Sequence, residues 1–511
     1  MPPSPPFRRV LVANRGEIAI RVCRSLRELG ITPVVVYSEA DREATHVLQA
    51  EHAVCIGPAP ARESYLVIDK LVAVAKEHDC AAIHPGYGFL SENSAFPRAI
   101  RAAGLVFIGP GPEAMEALGS KQRAKGVAIA AGVPVVPGFN EDHGDDARLQ
   151  VEAARIGVPL LIKASAGGGG KGMRLVTDLA EFREALAMAR REAKAAFGDD
   201  TMLLEKRVFP ARHVEIQIFG DAHGNAIALG ERECSVQRRH QKVLEEAPST
   251  AIGQELRKRM CDAAVALAKQ VGYTNAGTVE FLVDPQGNFF FLEVNTRLQV
   301  EHPVTEFVTG LDLVQLQVRI AAGEKLSDLL AGKDLTPRGW ALEARICAES
   351  PEHGFLPAAG KLRVVREPCG PGIRVDSGVH EGGEVPVHYD SMLAKIVVHA
   401  QDRLSACERM ARALAQTSYL GIPTNVDFLR RIVEDEDFRA GKLRTDFLDS
   451  RPELVAGPQD PPGDEVYAAA LLGQIFCATR SDSGRAVQGS AAATNRIWGE
   501  LGALRLWEDE A

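Results

Sequence analysis

Apolar and polar residues alternate along the first part of the chain in the pattern of an α/β domain. The run RVLVAN at residues 9–14 is apolar enough for a buried strand, IAIRVCRSLRELG has helical spacing and ends at Gly30, and TPVVVYS predicts another strand. AAIHPGYG and LVFIGP carry further strand candidates. Because strands alternate with helices, the pattern predicts a doubly wound parallel sheet in an N-terminal domain of residues 1–120.

The pattern changes three times further along the chain. Residues 121–206 begin with a helical stretch and continue as a small α/β region that carries a glycine-rich segment. Residues 207–450 alternate long strands and helices and should form the largest domain. Residues 451–511 begin with a Pro/Gly/Asp-rich linker, and two helical stretches follow it, EVYAAALLGQIFCA and AATNRIWGELGALRLW.

The segment LIKASAGGGGKGMRLV at residues 161–176 places consecutive glycines between two apolar runs. It is not a P-loop, because that motif requires Gly where the chain has Ser165, and Ser or Thr where it has Gly172. Both flanks are strand-like, so the loop should join two strands. Bare backbone N–H groups can surround a phosphate chain, and Lys163 would add a positive charge. A hairpin tip without a ligand is the alternative.

The segment GTVEFLVDPQGNFFFLEVN predicts a β-hairpin, because two apolar runs flank a turn sequence. With the turn centred on Gln286 and Gly287, Glu280 faces Glu293, and Asn295 follows on the same face. Like charges directly opposite each other repel unless a cation neutralises them. Mg²⁺ prefers such carboxylate and amide oxygens together with substrate phosphates. A solvated pair of glutamates on an edge strand is the alternative.

The alternation continues into EVNTRLQVEHP if this stretch is extended. The polar positions are Glu293, Asn295, Arg297, Gln299 and Glu301. In the same conformation Val294, Leu298 and Val300 would pack behind them. Acid, amide, guanidinium, amide and acid in one line predict a wall that holds a metal, an anion and a base together. An amphipathic edge strand fits the period equally well.

Two further strands carry polar residues on one face. RHVEIQ places His213, Glu215 and Gln217 on the same side, and WALEARICAE does so with Glu343 and Arg345. Between them CSVQRRHQK forms a basic run. Such a run is usually a solvated face, and we give it no role from its composition alone.

Composition narrows the classes of function. The net charge of −9 argues against a broad nucleic-acid surface, and no uninterrupted apolar run approaches the length of a membrane span. The cysteines are scattered without a C-x-x-C pair, which is typical of reduced thiols in a cytoplasmic protein. The turn after the first strand reads NRGEIA instead of G-x-G-x-x-G, so a dinucleotide-dependent oxidoreductase loses its best support.

Six segments together resemble biotin carboxylase, a member of the ATP-grasp superfamily. They are ANRGEIA, HPGYGFLSEN, KASAGGGGKGM, QRRHQK, EVNTRLQVEHPVTE and EARICAE, in order and at the family's spacing over about residues 7–450. Within the family, the sequences of these motifs most resemble those of the α subunits of acyl-CoA carboxylases. The resemblance implies an α/β protein of the ATP-grasp fold. Its parts are the N-terminal doubly wound domain, a small α/β lid and a C-terminal α+β domain with an antiparallel sheet.

The resemblance also implies roles for residues that match the family's motifs. ATP would contact Lys121, Lys163, Gly169, Gly170, Glu205, Lys206, Val208, His213, Gln237, His240, Glu280 and Glu293. Mg²⁺ or Mn²⁺ would be held by Glu280, Glu293 and Asn295. Bicarbonate and biotin would lie against Lys242, Arg297, Gln299, the backbone of Val300, Arg345 and Tyr87. The catalytic group would be Lys242, Arg297, Glu301 and Arg345.

The implied reaction is the ATP-dependent carboxylation of biotin. Glu301 would take the proton of bicarbonate, carboxyphosphate would form and release CO₂, and Arg345 would stabilise the biotin enolate while the lid excludes water. The chain has no AMKM biotinylation motif, so biotin would arrive on a carrier protein, or this chain is a fragment of a longer one. A carboxyltransferase and a second copy of the chain are the other expected partners.

Two other functions stay open at this point. One is another ATP-grasp ligase, such as a carbamoyl-phosphate type, which would share the lid and the metal carboxylates. The other is a nucleotide-binding subunit of a carboxylase complex without catalytic activity. Stimulation of bicarbonate-dependent ATP cleavage by free biotin would distinguish a biotin carboxylase from both of these alternatives.

Overall fold

The computed structural model describes residues 6–140, 145–165, 172–239, 241–456 and 463–482. Contacts divide the chain into two compact units, residues 1–457 and residues 458–511. The three largest sheets of the first unit have five, four and eight strands. The five-stranded sheet forms the N-terminal domain, the four-stranded sheet forms the region with the glycine-rich segment, and the eight-stranded sheet carries most of the candidate site.

The N-terminal sheet is parallel and has helices on both faces. Its elements are β1 (Arg9–Val12), α1 (Gly16–Glu28), β2 (Thr32–Tyr37), α2 (Thr45–Leu48), β3 (His52–Cys55), α3 (Ile68–Glu77), β4 (Ala82–His84), α4 (Ala95–Ala102) and β5 (Val106–Phe107). The strand order is β3-β2-β1-β4-β5. Val10 and Val12 pack with α1 on one side, and Leu11 packs with α3 on the other. The predicted doubly wound parallel sheet is confirmed.

A small antiparallel sheet follows two connecting helices. The elements are α5 (Pro112–Leu118), α6 (Lys121–Ala130), β6 (Gly138–Phe139), α7 (Asp146–Ile156), β7 (Leu160–Ala164), β8 (Arg174–Val176), α8 (Phe182–Phe197) and β9 (Met202–Lys206). The strand order is β6-β9-β7-β8, and Leu160 on β7 lies opposite Val176 on β8. The glycine-rich segment therefore joins two strands, as predicted. Residues 166–171, which include Gly169 and Gly170, lie outside the described residues.

Six strands of the eight-stranded antiparallel sheet, β10 to β15, come before the C-terminal part. The elements of this part are β10 (Arg212–Gly220), β11 (Ala226–Arg238), β12 (Gln241–Ala247), α9 (Gln254–Gln270), β13 (Asn275–Val283), β14 (Phe289–Asn295), α10 (His302–Thr309), α11 (Leu313–Ala321), α12 (Leu326–Leu329) and β15 (Trp340–Cys347). Val214 and Ile216 of β10 pack against Met260 and Leu267 of α9. Because side chains alternate along a strand, the polar residues between them lie on the opposite face.

The C-terminal part completes this sheet and adds a helical layer. Its elements are β16 (Glu349–Ser350), β17 (Leu356–Pro357), β18 (Gly360–Lys361), β19 (Val364–Arg366), β20 (Ile373–Ser377), β21 (Glu384–Val385), β22 (Met392–Ala400), α13 (Arg403–Ala415), β23 (Ser418–Leu420), α14 (Val426–Glu434), α15 (Glu436–Arg439) and α16 (Pro452–Ala456). The full strand order is β14-β13-β10-β11-β12-β15-β22-β20. Ile346 and Ile396 of the sheet form a core with Met410 and Phe428 of the helices. The predicted antiparallel sheet is confirmed.

The second unit contributes the helix α17 (Asp464–Asp482). It contains the predicted helical stretch EVYAAALLGQIFCA, whereas the second predicted stretch, residues 492–507, lies outside the described residues. Val466, Tyr467, Leu471 and Leu472 on this helix are exposed. Among the helices that the structure describes, none combines the length and the apolar character needed to cross a bilayer.

Candidate active site

The β13–β14 hairpin brings two glutamates together. Glu280 lies directly opposite Glu293, as the sequence predicts. Closer to the turn, however, the register shifts by one residue, and Phe281 pairs with Phe291. The single uninterrupted register predicted from the sequence is therefore wrong, because a β-bulge interrupts it. Without the extra residue in β14, Glu280 would face Leu292, so the bulge is what aligns the two acids.

Strand β14 ends at Asn295, which corrects the prediction that the extended conformation continues to Glu301. Residues 296–301 form an irregular segment with one bend and one turn that leads into α10, and Glu301 is the N-cap residue of that helix. Pro303 within that first turn favours helix initiation at this place. Leu298 is fully buried as predicted, but Val300 is only half-buried. The polar residues converge through this turn and not along one strand face.

A row of charged residues crosses four strands of the eight-stranded sheet. Glu293, Glu280, Glu215 and Arg232 are successive partners on β14, β13, β10 and β11. Arg232 is fully buried and donates a hydrogen bond of 2.5 Å from Nε to Glu215 Oε1. Three acids side by side in a buried sheet repel one another, and the single positive charge of Arg232 at the end of the row does not neutralise all three.

Lys242 supplies further positive charge to this row. It lies on β12, where the hairpin with β11 places it opposite Gln237. Its Nζ lies 2.5 Å from Glu215 Oε2, 2.8 Å from Glu280 Oε1 and 2.7 Å from Glu301 Oε1. Burial would lower the pKa of Lys242, but the three carboxylates outweigh it and raise that pKa well above its usual value. Lys242 is therefore a cation that three acids share.

Glu280 accepts hydrogen bonds from several sides. Besides Lys242, Asn295 Nδ2 donates to Glu280 Oε1 at 2.7 Å, and Gln299 Nε2 donates to the same oxygen at 3.3 Å. His213 Nε2 lies 2.8 Å from Glu280 Oε2. Burial lowers the pKa of His213, but the charge of Glu280 outweighs this and raises it. Four predicted site residues thus meet at one carboxylate.

The pKa values of the glutamates at the site shift in opposite directions. Burial pushes the pKa of Glu280 upward, but Lys242 and His213 together outweigh burial and the net shift is downward. Burial acts on Glu301 in the same way, and Lys242 with Arg345 holds the pKa of Glu301 well below its ordinary value. For Glu293, burial and the neighbouring charge of Glu280 both raise the pKa. Glu280 and Glu301 are therefore ionised, whereas the repulsion between Glu280 and Glu293 is not fully offset by the neighbouring cations.

The hairpin offers a donor set that fits a divalent cation. Hard cations take carboxylate and amide oxygens, and Glu280, Glu293 and Asn295 provide both kinds at adjacent positions. Lys121 at the start of α6 also lowers the pKa of Glu293, but burial and Glu280 still raise it overall. A bound cation between the two acids would remove that repulsion.

Arg345 on β15 connects two buried glutamates. Its Nη2 lies 2.8 Å from Glu301 Oε2, and its Nε donates to Glu245 Oε1 at 2.6 Å. Glu245 faces Glu343 across the β12–β15 pair, and burial raises the pKa of Glu245 to about 7. Burial also raises the pKa of Glu343 well above its ordinary value. The Arg345 side chain is still 18% exposed, so it can reach a ligand from the site opening.

Arg297 lies in the turn after β14 and is fixed by several acceptors. Nη1 donates to Gln299 Oε1 at 2.8 Å, and Nη2 donates to Asn295 Oδ1 at 3.3 Å. Nε donates at 3.0 Å to Glu92 Oε2, which belongs to the N-terminal domain. The side chain is 18% exposed, so its outer face is accessible to an anion.

The lid region places lysines around one glutamate. Lys163 Nζ lies 2.5 Å from Glu205 Oε2, and Lys125 Nζ lies 3.2 Å from Glu205 Oε1. Burial raises the pKa of Glu205, but Lys163 and Lys125 outweigh it and lower that pKa to about 2. Lys206 Nζ donates to two backbone carbonyls before β7. Burial lowers the pKa of Lys121, which Glu293 partly offsets.

The remaining predicted residues lie at the edges of this site. Gln237 is buried on β11, Val208 is half-buried just after β9, and the carbonyl of Val300 accepts a 2.8 Å hydrogen bond from Lys395 Nζ. The ring of Tyr87 lies 5.8 Å from the same ammonium group. His240, like Gly169 and Gly170, lies outside the described residues.

Several charged residues of the site were not among the predicted ones. Lys125, Glu92, Glu245, Arg232 and Lys395 all contact predicted residues. The sequence could have identified Lys395, because a lone lysine within the apolar strand MLAKIVVHA indicates a buried and paired charge. The others stand in polar stretches whose pattern marks no partner.

Comparison with known protein families agrees with this geometry. Residues 6–115 match the family described as biotin carboxylase, N-terminal domain, and residues 343–450 match the biotin carboxylase C-terminal domain. Residues 120–329 match the carbamoyl-phosphate synthase L chain, ATP binding domain. A biotin carboxylase domain dimer from Hydrogenobacter thermophilus 2-oxoglutarate carboxylase is 43% identical with a TM-score of 0.84, covering 89% of this chain and 99% of that one. The chain belongs to the biotin carboxylase family.

Other biotin carboxylase relatives are similar over nearly the whole chain. The mitochondrial methylcrotonoyl-CoA carboxylase subunit alpha of Rattus norvegicus is 50% identical over 475 residues, which are 93% of this chain and 66% of the relative. The propionyl-CoA carboxylase alpha chain of Ruegeria pomeroyi is 47% identical over 490 residues, 91% of this chain and 71% of the relative. The chain thus spans about two thirds of the length of these relatives.

Solved structures of similar biotin carboxylases contain bound ligands. The H. thermophilus domain was crystallised with MgADP, ADP and bicarbonate. A biotin carboxylase from Campylobacter jejuni, described as a β,γ-ATP complex, is 42% identical with a TM-score of 0.83, covering 87% of this chain and 99% of that one. The ATP-grasp fold expected from the sequence is confirmed by these likenesses.

Proposed function

We propose that this chain carboxylates biotin with bicarbonate and ATP, as the first half-reaction of an acyl-CoA carboxylase. The observation that carries the proposal is the position of Lys242, whose ammonium group contacts both Glu280 and Glu301. Glu280 belongs to the proposed metal and nucleotide site, and Glu301 is the proposed base. A single cation therefore lies at hydrogen-bond distance from one carboxylate of each half of the proposed site.

In this proposal the β13–β14 hairpin holds Mg²⁺ or Mn²⁺ through Glu280, Glu293 and Asn295. When bound, this ion would supply positive charge that offsets the charge on the phosphate oxygens of ATP during transfer. Lys121 and Lys163 would contact the phosphates, together with Gly169 and Gly170. The surroundings of Glu205, Lys206 and Val208 would receive the adenine, and His213, Gln237 and His240 would contact the nucleotide. The buried carboxylates of the hairpin support this assignment.

Bicarbonate is assigned to the space beside Lys242, Arg297, Gln299 and the backbone of Val300. Glu301 is buried and ionised, which is the protonation state that a base requires. Its low pKa depends on Lys242 and Arg345, so an anion that competes for these two cations makes Glu301 a stronger base. An oxygen of deprotonated bicarbonate then attacks the γ-phosphorus of ATP, the bond from that phosphorus to the β,γ-bridging oxygen breaks, and carboxyphosphate and ADP form.

Biotin is assigned to the opening beside Arg345 and Tyr87. Arg345 can donate charge-assisted hydrogen bonds to a developing negative charge on the ureido oxygen. Its bonds to Glu245 and Glu301 fix its orientation, and its exposed fraction leaves donors for a ligand. The lid, with the glycine-rich segment, would exclude water from the reactive intermediate.

The partners in this proposal follow from the relatives. A biotin carrier domain and a carboxyltransferase would complete the reaction, with an acyl-CoA as the acceptor, because the relatives are named as α subunits of such carboxylases. A homodimer is proposed because a similar biotin carboxylase domain was crystallised as a dimer. A cytoplasmic location stays a prediction from the sequence.

Phosphate release from ATP tests the proposal. The chain is assayed with Mg²⁺ and ATP, with and without bicarbonate, and with and without free biotin. We expect cleavage to depend on bicarbonate and to rise when biotin is added. Arg345→Gln should lose the biotin stimulation, whereas Arg338→Gln, an exposed arginine paired with Asp334, should keep it. Cleavage that is independent of biotin in every variant would contradict the proposal.

A further inference from the structure

The segment after β14 carries proposed bicarbonate ligands but has no sheet partner to hold it. The strand ends at Asn295, and the residues up to Glu301 form an irregular segment outside any strand. A backbone outside a sheet keeps one conformation only if other groups satisfy it. The position of Arg297 therefore depends on side chains that reach it from elsewhere in the molecule.

Glu92 makes two such contacts from the N-terminal domain. It lies in the loop between β4 and α4, within the HPGYGFLSEN segment. Its Oε1 accepts a 3.2 Å hydrogen bond from the backbone N–H of Thr296, and its Oε2 accepts a 3.0 Å hydrogen bond from Arg297 Nε. One carboxylate thus fixes both the backbone before the arginine and the inner nitrogen of its guanidinium group.

The other nitrogens of Arg297 are held by neutral groups. Nη1 donates to the side chain of Gln299 and, at 3.3 Å, to the carbonyl of Leu298, while Nη2 donates to Asn295. Within the described residues Glu92 is the one carboxylate at ion-pair distance from Arg297. Burial lowers the pKa of Arg297, and the charge of Glu92 is the largest of the effects that raise it again.

We propose that Glu92 is a positioning residue that sets the bicarbonate affinity of the site by holding Arg297 and the Thr296 backbone. The inference rests on the proposed function, and it adds a residue of the N-terminal domain to the bicarbonate site. Glu92 does not itself touch the substrates. It orients the arginine so that the outer guanidinium nitrogens face the anion.

The exposure of Glu92 separates this role from a structural one. The Glu92 side chain is 44% exposed, and exposed ion pairs contribute little to folding stability. Loss of Glu92 should therefore leave the fold intact and change the geometry of Arg297. Glu116 offers a matched control in the same domain, since its side chain is also 44% exposed and it pairs with Arg98 at 2.9 Å.

The experiment compares Glu92→Ala, Glu92→Gln and Glu116→Ala with the unchanged chain in biotin-dependent ATP cleavage. For Glu92→Ala we expect the KM for bicarbonate to rise about tenfold, the size of a lost hydrogen bond to a charged group. The KM for ATP and the thermal midpoint should stay near those of the unchanged chain. Glu92→Gln retains an acceptor oxygen and should recover part of the affinity, and Glu116→Ala should behave like the unchanged chain.

Two results would overturn the inference. One is an unchanged KM for bicarbonate in Glu92→Ala. The other is a parallel rise of both KM values with a lower thermal midpoint, which indicates a structural role. Calorimetric titration with bicarbonate alone measures the same contact without turnover. No binding to the unchanged chain would overturn the proposed function together with this inference, whereas equal binding to the unchanged chain and Glu92→Ala would overturn the inference only.

Discussion

Lys242 Nζ lies 2.7 Å from Glu301 Oε1, and this contact ties the proposed base to the charged row of the sheet. The same ammonium group also contacts Glu215 and Glu280. Its removal leaves three buried carboxylates without their shared cation. The lysine is therefore a structural counter-ion of the row as well as the proposed bicarbonate ligand.

Replacement of Lys242 by Met should destabilise the protein as well as inactivate it. Uncompensated buried charge costs about 3–5 kcal/mol, and here three acids lose one partner. Urea unfolding at neutral pH measures the change. Lys258→Met, which removes an exposed lysine paired with Asp262, is the control and should unfold like the unchanged chain. An inactive Lys242→Met with unchanged stability would show that the lysine is not a counter-ion of the row.

Replacement of Glu301 by Gln removes the proposed base and keeps the shape of the side chain. General-base catalysis contributes about 10²–10⁴-fold, so biotin-dependent ATP cleavage should fall by that factor. Nucleotide binding should persist, because the side-chain hydrogen bonds of Glu301 among the described residues join it to Lys242, Arg345 and Cys234. Steady-state kinetics and nucleotide titration measure the two properties separately. Loss of nucleotide binding with the activity would assign Glu301 to the nucleotide site instead.

Replacement of Glu293 by Gln should have opposite effects without and with metal. Burial and Glu280 raise the pKa of Glu293, so the ionised form costs stability when no cation is bound. The amide removes that cost, and the thermal midpoint in a chelator should rise. The Mg²⁺ concentration for half-maximal ATP cleavage should increase, because a carboxylate ligand is lost. A lower midpoint in the chelator, or an unchanged Mg²⁺ requirement, would argue against a metal between these two acids.

The outcome for Glu280 and Glu293 shows how far a sequence can predict such a site. Alternation and a turn sequence identified the two acids as neighbours, since both signals are local. The bulge that aligns them and the end of β14 at Asn295 depend on the packing of the whole hairpin, and no local pattern indicates them.

The contacts of Glu92 and Lys395 mark the limit of that prediction. Glu92 reaches Arg297 across 205 positions of sequence, and Lys395 reaches the Val300 carbonyl across 95. Each pair joins two different parts of the fold. The two residues of each pair meet only when the sheets assemble. The sequence therefore shows which residue types are present but does not identify their partners.

Glu17 on α1 gives a pH-dependent prediction away from the proposed chemistry. Burial raises the pKa of Glu17 to about 7, although Lys395 at 3.6 Å acts against the shift. A raised folded-state pKa gives stability that is present below the ordinary value near 4.5 and is lost as pH rises through about 7. Relative to Glu17→Gln, the unchanged chain should lose about 3 kcal/mol of unfolding free energy over that range.

Urea unfolding at several pH values between 4.5 and 8 measures this difference, and the Gln variant serves as the reference that cannot titrate. Other titrating groups affect both proteins alike and cancel in the comparison. A difference that stays constant across the range would mean that Glu17 titrates near its ordinary value and is not held by burial.

Transfer of labelled carbon from bicarbonate to free biotin measures the central claim most directly. The chain is incubated with Mg²⁺, ATP, labelled bicarbonate and biotin, and carboxybiotin is quantified beside Glu301→Gln and a sample without ATP. We predict labelled carboxybiotin only from the unchanged chain and only with ATP. Nucleotide binding and phosphate release without any labelled carboxybiotin would contradict the account.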